Sequence, residues 1–177
     1  MKFKVIAAVK NDDEFKLALD SNVEIIFHLT PNIIKLKKHI NMAHSSGKKI
    51  YIHIDFAEGI AKDLYGMKMV KALGVDGIIS TKANIIKFAK EEGLSTVQRF
   101  FIIDSRSIES TIESIKQSRT DMIEVMPGII PKVISKLKEK IIIPIIAGGL
   151  IETNEEANAA FDAGATAIST GSKILWK

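Results

Sequence analysis

Two short stretches near the end of the chain carry residue types that hold an anion. Gly148 and Gly149 end the apolar run within Pro144-Ile-Ile-Ala-Gly-Gly-Leu-Ile151, and Thr170-Gly171-Ser172 follow Ala167-Ile168-Ser169. Glycine has no Cβ, so its backbone can approach an anion and aim N–H groups at it. Side by side, the two turns read as a phosphate cradle made of Gly148, Gly149, Thr170, Gly171 and Ser172. Arg99 sits within an apolar run, between Gln98 and Phe100. Burying a guanidinium unpaired is costly, so it needs a partner or a ligand. Glu124, on the next apolar run, is the obvious partner. The two form either a purely structural pair or the wall of a pocket that contacts ligand hydroxyls. His53 and Asp55, two apart at a strand end, point the same way. They suit an acid–base pair or a hydrogen bond to a ligand hydroxyl, and Asp55 is alternatively a cap for the turn at residues 57–59. With no third ligand at a recognisable spacing, they are not read as a metal site. Lys10 and Lys82 add positive charge, or Schiff-base chemistry if desolvated.

Residues so far apart must be gathered by a frame. Ile- and Val-rich runs recur at residues 5–9, 23–29, 50–54, 77–80, 96–103, 122–126, 142–147 and 165–169. They do not alternate with polar residues, which suits strands covered on both faces and hence a parallel sheet. Between them, amphipathic segments at 12–20, 31–46, 59–73, 82–92, 105–118, 131–140 and 154–163 read as helices. Asp12 or Asp13 caps the first, Pro31 opens the second and Asp104 or Ser105 caps the fifth, while Gly47, Gly74, Gly93 and Gly164 follow helix ends. Eight strands separated by seven helices predict a short (β/α)₈ TIM-like barrel, with the last helix truncated to about one turn at 173–177. A doubly wound open sheet is the competing arrangement; no Gly-x-Gly-x-x-Gly follows the first strand to support it. In a barrel, every candidate residue named above falls at or just beyond a strand end, on the functional face. Ile78-Ile-Ser-Thr81 resembles Ala167-Ile-Ser-Thr170, and residues 50–55 fall where 143–148 fall in the second half, a faint hint of two related half-barrels.

The 177 residues fit one domain over 1–177 with a real core. The chain has no cysteine, which removes disulfides and thiolate metal sites and fits a cytoplasmic location. Its apolar runs are too short to span a bilayer, so no membrane partner is expected. The net charge of +4 is compatible with an anionic ligand or a nucleic acid, but the charges are dispersed. Lys35-Leu-Lys-Lys38 and the lysines from Lys132 to Lys140 are solvated helix faces and the best electrostatic candidates for a nucleic-acid backbone. Phe100 and Phe101 beside Arg99 read as core rather than as base-stacking rings.

Several segments, taken in order, resemble the glycerol uptake operon antiterminators, the glycerol-3-phosphate-responsive antiterminator family. They are Ile6-Ala-Ala-Val-Lys10, His53-Ile-Asp-Phe56 with Gly59, Asp76-Gly-Ile-Ile-Ser-Thr-Lys82, Gln98-Arg-Phe-Phe101 with Ile103-Asp-Ser105, Ile123-Glu-Val-Met-Pro-Gly128, Ile143 to Ile151, and Ser169-Thr170 with Leu175-Trp176. The resemblance runs nearly end to end. It implies a cytoplasmic regulator with a barrel fold that senses glycerol 3-phosphate and acts on the leader mRNA of glycerol catabolic genes, preventing premature termination. On that reading there is no cofactor and no catalytic residue. Glycerol 3-phosphate is the effector, its phosphate on the cradle, with Asp55, Arg99 and Glu124 meeting its hydroxyls, His53 beside them and Lys10 or Lys82 adding positive charge. The alternative is an enzyme on a sugar phosphate, an isomerase or aldolase using the same cradle. Monomer and homodimer both stay open.

Overall fold

The computed structural model describes residues 4–177, so the first three residues of the expected domain lie outside the described range. The order is β1 (Lys4–Val9), α1 (Asp12–Leu19), β2 (Ile25–His28), α2 (Ile33–Ser45), β3 (Lys49–His53), α3 (Leu64–Leu73), β4 (Gly77–Ser80), α4 (Ala83–Glu91), β5 (Ser95–Phe101), α5 (Ser105–Ser118), β6 (Met122–Met126), α6 (Pro131–Lys138), β7 (Ile145–Gly148), α7 (Asn154–Asp162) and β8 (Ala167–Thr170). The strands close into a barrel in chain order, and β8 pairs in parallel with β1. The expected barrel is therefore the fold, and the open sheet is excluded. The eighth helix is replaced by a 3₁₀ turn, Lys173–Trp176. Trp176 is buried there, and its indole N–H donates to the Thr170 carbonyl at 2.9 Å, tying the chain end to β8.

Strand side chains alternate between two faces. One face of the strands packs with helix residues in two large apolar clusters, one over β1–β4 and one over β5–β8. The other face fills the barrel with Ile6, Phe27, Tyr51, Ile79, Val97, Ile146 and Ala167. Two residues further along, the same inward face carries Ala8, His53, Arg99, Glu124, Gly148 and Ser169. The barrel is thus plugged by hydrocarbon below and lined by polar groups at its C-terminal mouth.

Several local expectations are corrected. The third helix begins at Leu64, not at Gly59. Gly59 has φ +72°, and a Cβ there would come within 2.5 Å of Ile33, so the chain turns before Asp63 caps the helix by accepting the Gly66 N–H at 2.8 Å. Asn11 caps α1 and Asn32 caps α2, in place of Asp12, Asp13 and Pro31. The fifth helix does begin as expected, with Asp104 and Ser107 in a capping box. In the proposed internal repeat, Ile78 aligns with Ala167. Yet Ile78 packs on the helix side and Ala167 inside the barrel, so that half of the repeat is out of phase by one residue.

Candidate ligand site at the barrel mouth

Parallel pairing of β5 with β6 sets Arg99 beside Glu124. Glu124 is fully buried and Arg99 is 8% exposed. The Arg99 Nε–H donates to Glu124 Oε2 at 2.6 Å, and the Ser169 hydroxyl donates to Glu124 Oε1. Such a carboxylate is affordable inside a barrel only because both oxygens are met. Gly148 completes the arrangement. A Cβ at that position would lie 2.4 Å from Glu124 Oε1 and 2.7 Å from Ser169 Oγ. The first glycine of the pair therefore makes room for the carboxylate, rather than letting an anion approach. Among the described residues, nothing takes the two terminal nitrogens of Arg99, which lines a cavity at the mouth.

That cavity has a volume of about 600 Å³ and opens among the loops after β1, β2, β7 and β8, with Arg99 of β5 and Glu124 and Met126 of β6 in its wall. Of the expected site residues it gathers Lys10, Arg99, Glu124, Gly149, Thr170, Gly171 and Ser172. The hydroxyls of the last loop are already committed. Thr170 Oγ1 donates to the Ile151 carbonyl at 2.6 Å and accepts the Ser172 N–H at 2.9 Å, while Ser172 Oγ donates to the Glu152 carbonyl at 3.0 Å. They lock the β7 and β8 loops together. The amides of Gly149, Leu150 and Gly171 have no hydrogen-bond partner among the described residues. Gly149 and Leu150 both have positive φ, +78° and +62°. Leucine is uncommon there, and it holds an exposed side chain at the rim. Lys10 is exposed, whereas Lys173 is turned away to Glu14 at 3.0 Å.

His53, Asp55 and Lys82 do not line this cavity. Asp55 is not a continuation of the β3 strand end; it lies in a 3₁₀ turn, Ile54–Phe56. It accepts from Ser80 Oγ at 2.6 Å and from the N–H and Oγ1 of Thr81, both at 2.8 Å. Burial acts to raise its pKa, but these hydrogen bonds outweigh burial and hold it below the usual carboxylate value. Asp55 therefore stitches the β3 loop to the β4 loop. His53 is 1% exposed, and neither ring nitrogen has a partner. Its ring stacks on Phe56 with centroids 4.9 Å apart. Burial, with the Arg99 charge adding to it, lowers its pKa to about 4, so it is neutral at pH 7. Lys82 is the exposed residue that precedes α4.

The sequence reading passed over Ser169. Counting strand alternation back from Glu124 and forward from Ala167 points to it, because Ser169 rather than Thr170 faces inward. It also missed a second cluster: His28 Nε2 lies 3.0 Å from His39 Nδ1, His39 Nε2 lies 3.7 Å from Asp12 Oδ1, and Phe15 stacks on His39. Burial chiefly lowers the His28 pKa to about 4. Among the described residues, no group of three or more His, Asp or Glu side chains is placed to hold a metal ion.

The fold makes this a (β/α)₈ barrel protein with a ligand-sized opening on the face where such barrels carry their sites. Within that class, the chain belongs to the glycerol-3-phosphate responsive antiterminator family, whose family model matches residues 5–176. A crystal structure of a glycerol uptake operon antiterminator regulatory protein from Listeria monocytogenes str. 4b F2365 superposes with a TM-score of 0.93 at 35% identity, covering 99% of this chain and 96% of that one. A glycerol uptake operon antiterminator-related protein from Thermotoga maritima MSB8 gives 0.88 at 35% identity, covering 99% of both chains. The uncharacterized protein YgcP of Escherichia coli (strain K12) is 39% identical over 173 residues, 97% of this chain and 91% of YgcP. Among the described residues, no helix is long and apolar enough to cross a membrane.

Proposed function

We propose that this protein is a glycerol 3-phosphate sensor that binds leader mRNA of glycerol catabolic genes and prevents premature termination when the ligand is bound. The observation that carries the ligand half is Arg99: its Nε is fixed on buried Glu124, and its terminal nitrogens are left uncommitted at a 600 Å³ cavity. A guanidinium held at one edge offers the other edge to an anion or to ligand hydroxyls at little further loss of freedom. The unpartnered amides of Gly149, Leu150 and Gly171, which line the same cavity, supply neutral donors for phosphate oxygens. Family membership supports the RNA half. In a fluorescence-anisotropy titration of leader RNA, glycerol 3-phosphate raises the affinity, and RNA raises the affinity for ligand by the same factor. RNA binding that is indifferent to the ligand at every salt concentration refutes the coupling.

A second reading, an isomerase or aldolase on a sugar phosphate, rests on Lys10, which lines the same cavity. A lysine adduct trapped by borohydride with a triose phosphate, or turnover of that sugar, supports it; an unmodified and inert protein removes it.

A further inference from the structure

Both ring nitrogens of His53 are buried without a hydrogen-bond partner among the described residues, and the residue is 1% exposed. A neutral imidazole carries one N–H donor and one lone-pair acceptor. Leaving both unmet in the interior costs stability, and an apolar side chain of similar size avoids that cost. Departures of this kind mark functional positions, where a ligand meets what the fold leaves open. Asp55 does not serve as the partner, because its oxygens are taken by Ser80 and Thr81.

His53 is also placed for a ligand. On β3 it lies two residues beyond Tyr51, which fills the barrel, so it shares the inward face. Arg99 stands on the inward face of β5, near enough that its charge adds to burial in keeping the imidazole uncharged at pH 7. The terminal nitrogens of Arg99 are uncommitted at the cavity, so free donors continue from the cavity wall toward His53. Phe56 covers the imidazole: its ring stacks with centroids 4.9 Å apart, and the residue is 65% exposed. A side chain that exposed has little other packing, and a change of its rotamer opens His53 to the mouth. Phe101 is 56% exposed too, which corrects the expectation that it is a core ring, but it is Phe56 that lies on a buried imidazole.

The two ends of such a site ask for different groups. An ionised phosphate oxygen only accepts hydrogen bonds, so it suits Arg99 and the amides of Gly149, Leu150 and Gly171, and it is repelled by the lone pair of a neutral imidazole. A hydroxyl both donates and accepts, and it satisfies either ring nitrogen. We infer that His53 is the hydroxyl-selecting residue of the site: with Phe56 turned aside, the polyol end of the ligand reaches past Arg99 and bonds the imidazole, while the phosphate stays on the β7 and β8 loops. The inference rests on the glycerol 3-phosphate reading. It adds the direction of the ligand in the site and the residue that separates a phosphorylated polyol from a phosphorylated hydrocarbon.

The probes are glycerol 3-phosphate and n-propyl phosphate, which has the same phosphate and carbon chain without the hydroxyls, each titrated calorimetrically into the full chain. Wild type prefers glycerol 3-phosphate by at least about tenfold, because the analogue leaves the imidazole unmet. His53→Leu binds n-propyl phosphate as wild type does and binds glycerol 3-phosphate about tenfold more weakly. Without ligand it melts no lower than wild type, which shows it folded. His53→Gln, with a donor and an acceptor of its own, keeps most of the preference. If His53→Leu keeps the full preference, or weakens both ligands alike, His53 does not read the hydroxyl and the inference is overturned. If wild type binds the two phosphates equally, the hydroxyl selection is wrong while the anion site stands. If wild type binds neither, the glycerol 3-phosphate reading falls and takes this one with it.

Discussion

Replacing Arg99 by methionine leaves the Glu124 carboxylate buried with a single remaining donor, Ser169. Replacing Glu124 by methionine leaves a guanidinium at 8% exposure without its counter-charge. Removing one partner of a buried pair costs about 3–5 kcal/mol, because an uncompensated charge stays inside. Replacing both by apolar side chains of similar volume is close to neutral. The double variant Arg99→Met/Glu124→Met is therefore more stable than either single variant, by about 3 kcal/mol or more. For a chain of this size that is a melting-temperature difference of about 6–12 °C. Urea denaturation of the four proteins gives the coupling energy directly. Adding glycerol 3-phosphate to the same proteins separates structure from ligand binding: the double variant folds but loses the ligand-induced stabilisation that wild type shows. Single variants that melt with wild type, or a double variant destabilised by the sum of the singles, refute the buried-pair reasoning. A double variant with the full ligand response removes Arg99 from the site.

Other outcomes follow from neighbouring features. Gly148→Ala drives a methyl to 2.4 Å from Glu124 Oε1, so it lowers stability by about 1–3 kcal/mol and abolishes the ligand-induced thermal shift; a wild-type melt contradicts this. His28 and His53 have folded pKa values lowered to about 4, against about 6.5 in the unfolded chain. The unfolded state therefore binds more protons between those values, and stability falls as pH drops from 6.5 to 4, by up to about 3 kcal/mol for each histidine. His53→Leu makes that decline shallower in denaturant titrations across pH, and an unchanged slope removes His53 from it. Arg119 ends α5 at φ +55°, a conformation that glycine adopts without strain. Arg119→Gly is expected to raise stability by about 1 kcal/mol in urea, and a loss of stability contradicts the strain argument.

Element boundaries were legible where local chemistry decides them. The capping box at Asp104 and the helix-ending glycines depend on neighbours within a few residues, and they stand as expected. Boundaries moved where contacts distant in sequence compete. Gly59 abuts Ile33, and Glu58 bridges to Asn32, so the stretch before α3 is pinned as a loop despite its apolar content. The seventh strand begins at Ile145, after Pro144, which has no N–H to give to the ladder. The candidate site was legible in part. Arg99 and Glu124 stood out as charges in apolar runs, and the structure pairs them. Asp55, Thr170 and Ser172 looked available because most of their partners are distant in sequence. Their partners Ser80, Thr81, Ile151 and Glu152 come from other loops.

By itself the sequence determined a parallel sheet of eight short strands, apolar on both faces and spaced by amphipathic helices, and favoured a barrel; the pairing of β8 with β1 closed it. It also determined that small and polar residues gather at the strand ends. Tertiary structure decided which of those groups face inward and which remain free. The side-chain period along a strand is two, so a phase difference of one residue puts Ser169 on Glu124 and turns Thr170 to the loop backbone. Gly148 and Gly149 look alike in the sequence. Only the closing of β6 against β7 makes the first the space that Glu124 occupies and leaves the second, at positive φ, in the lining of the cavity.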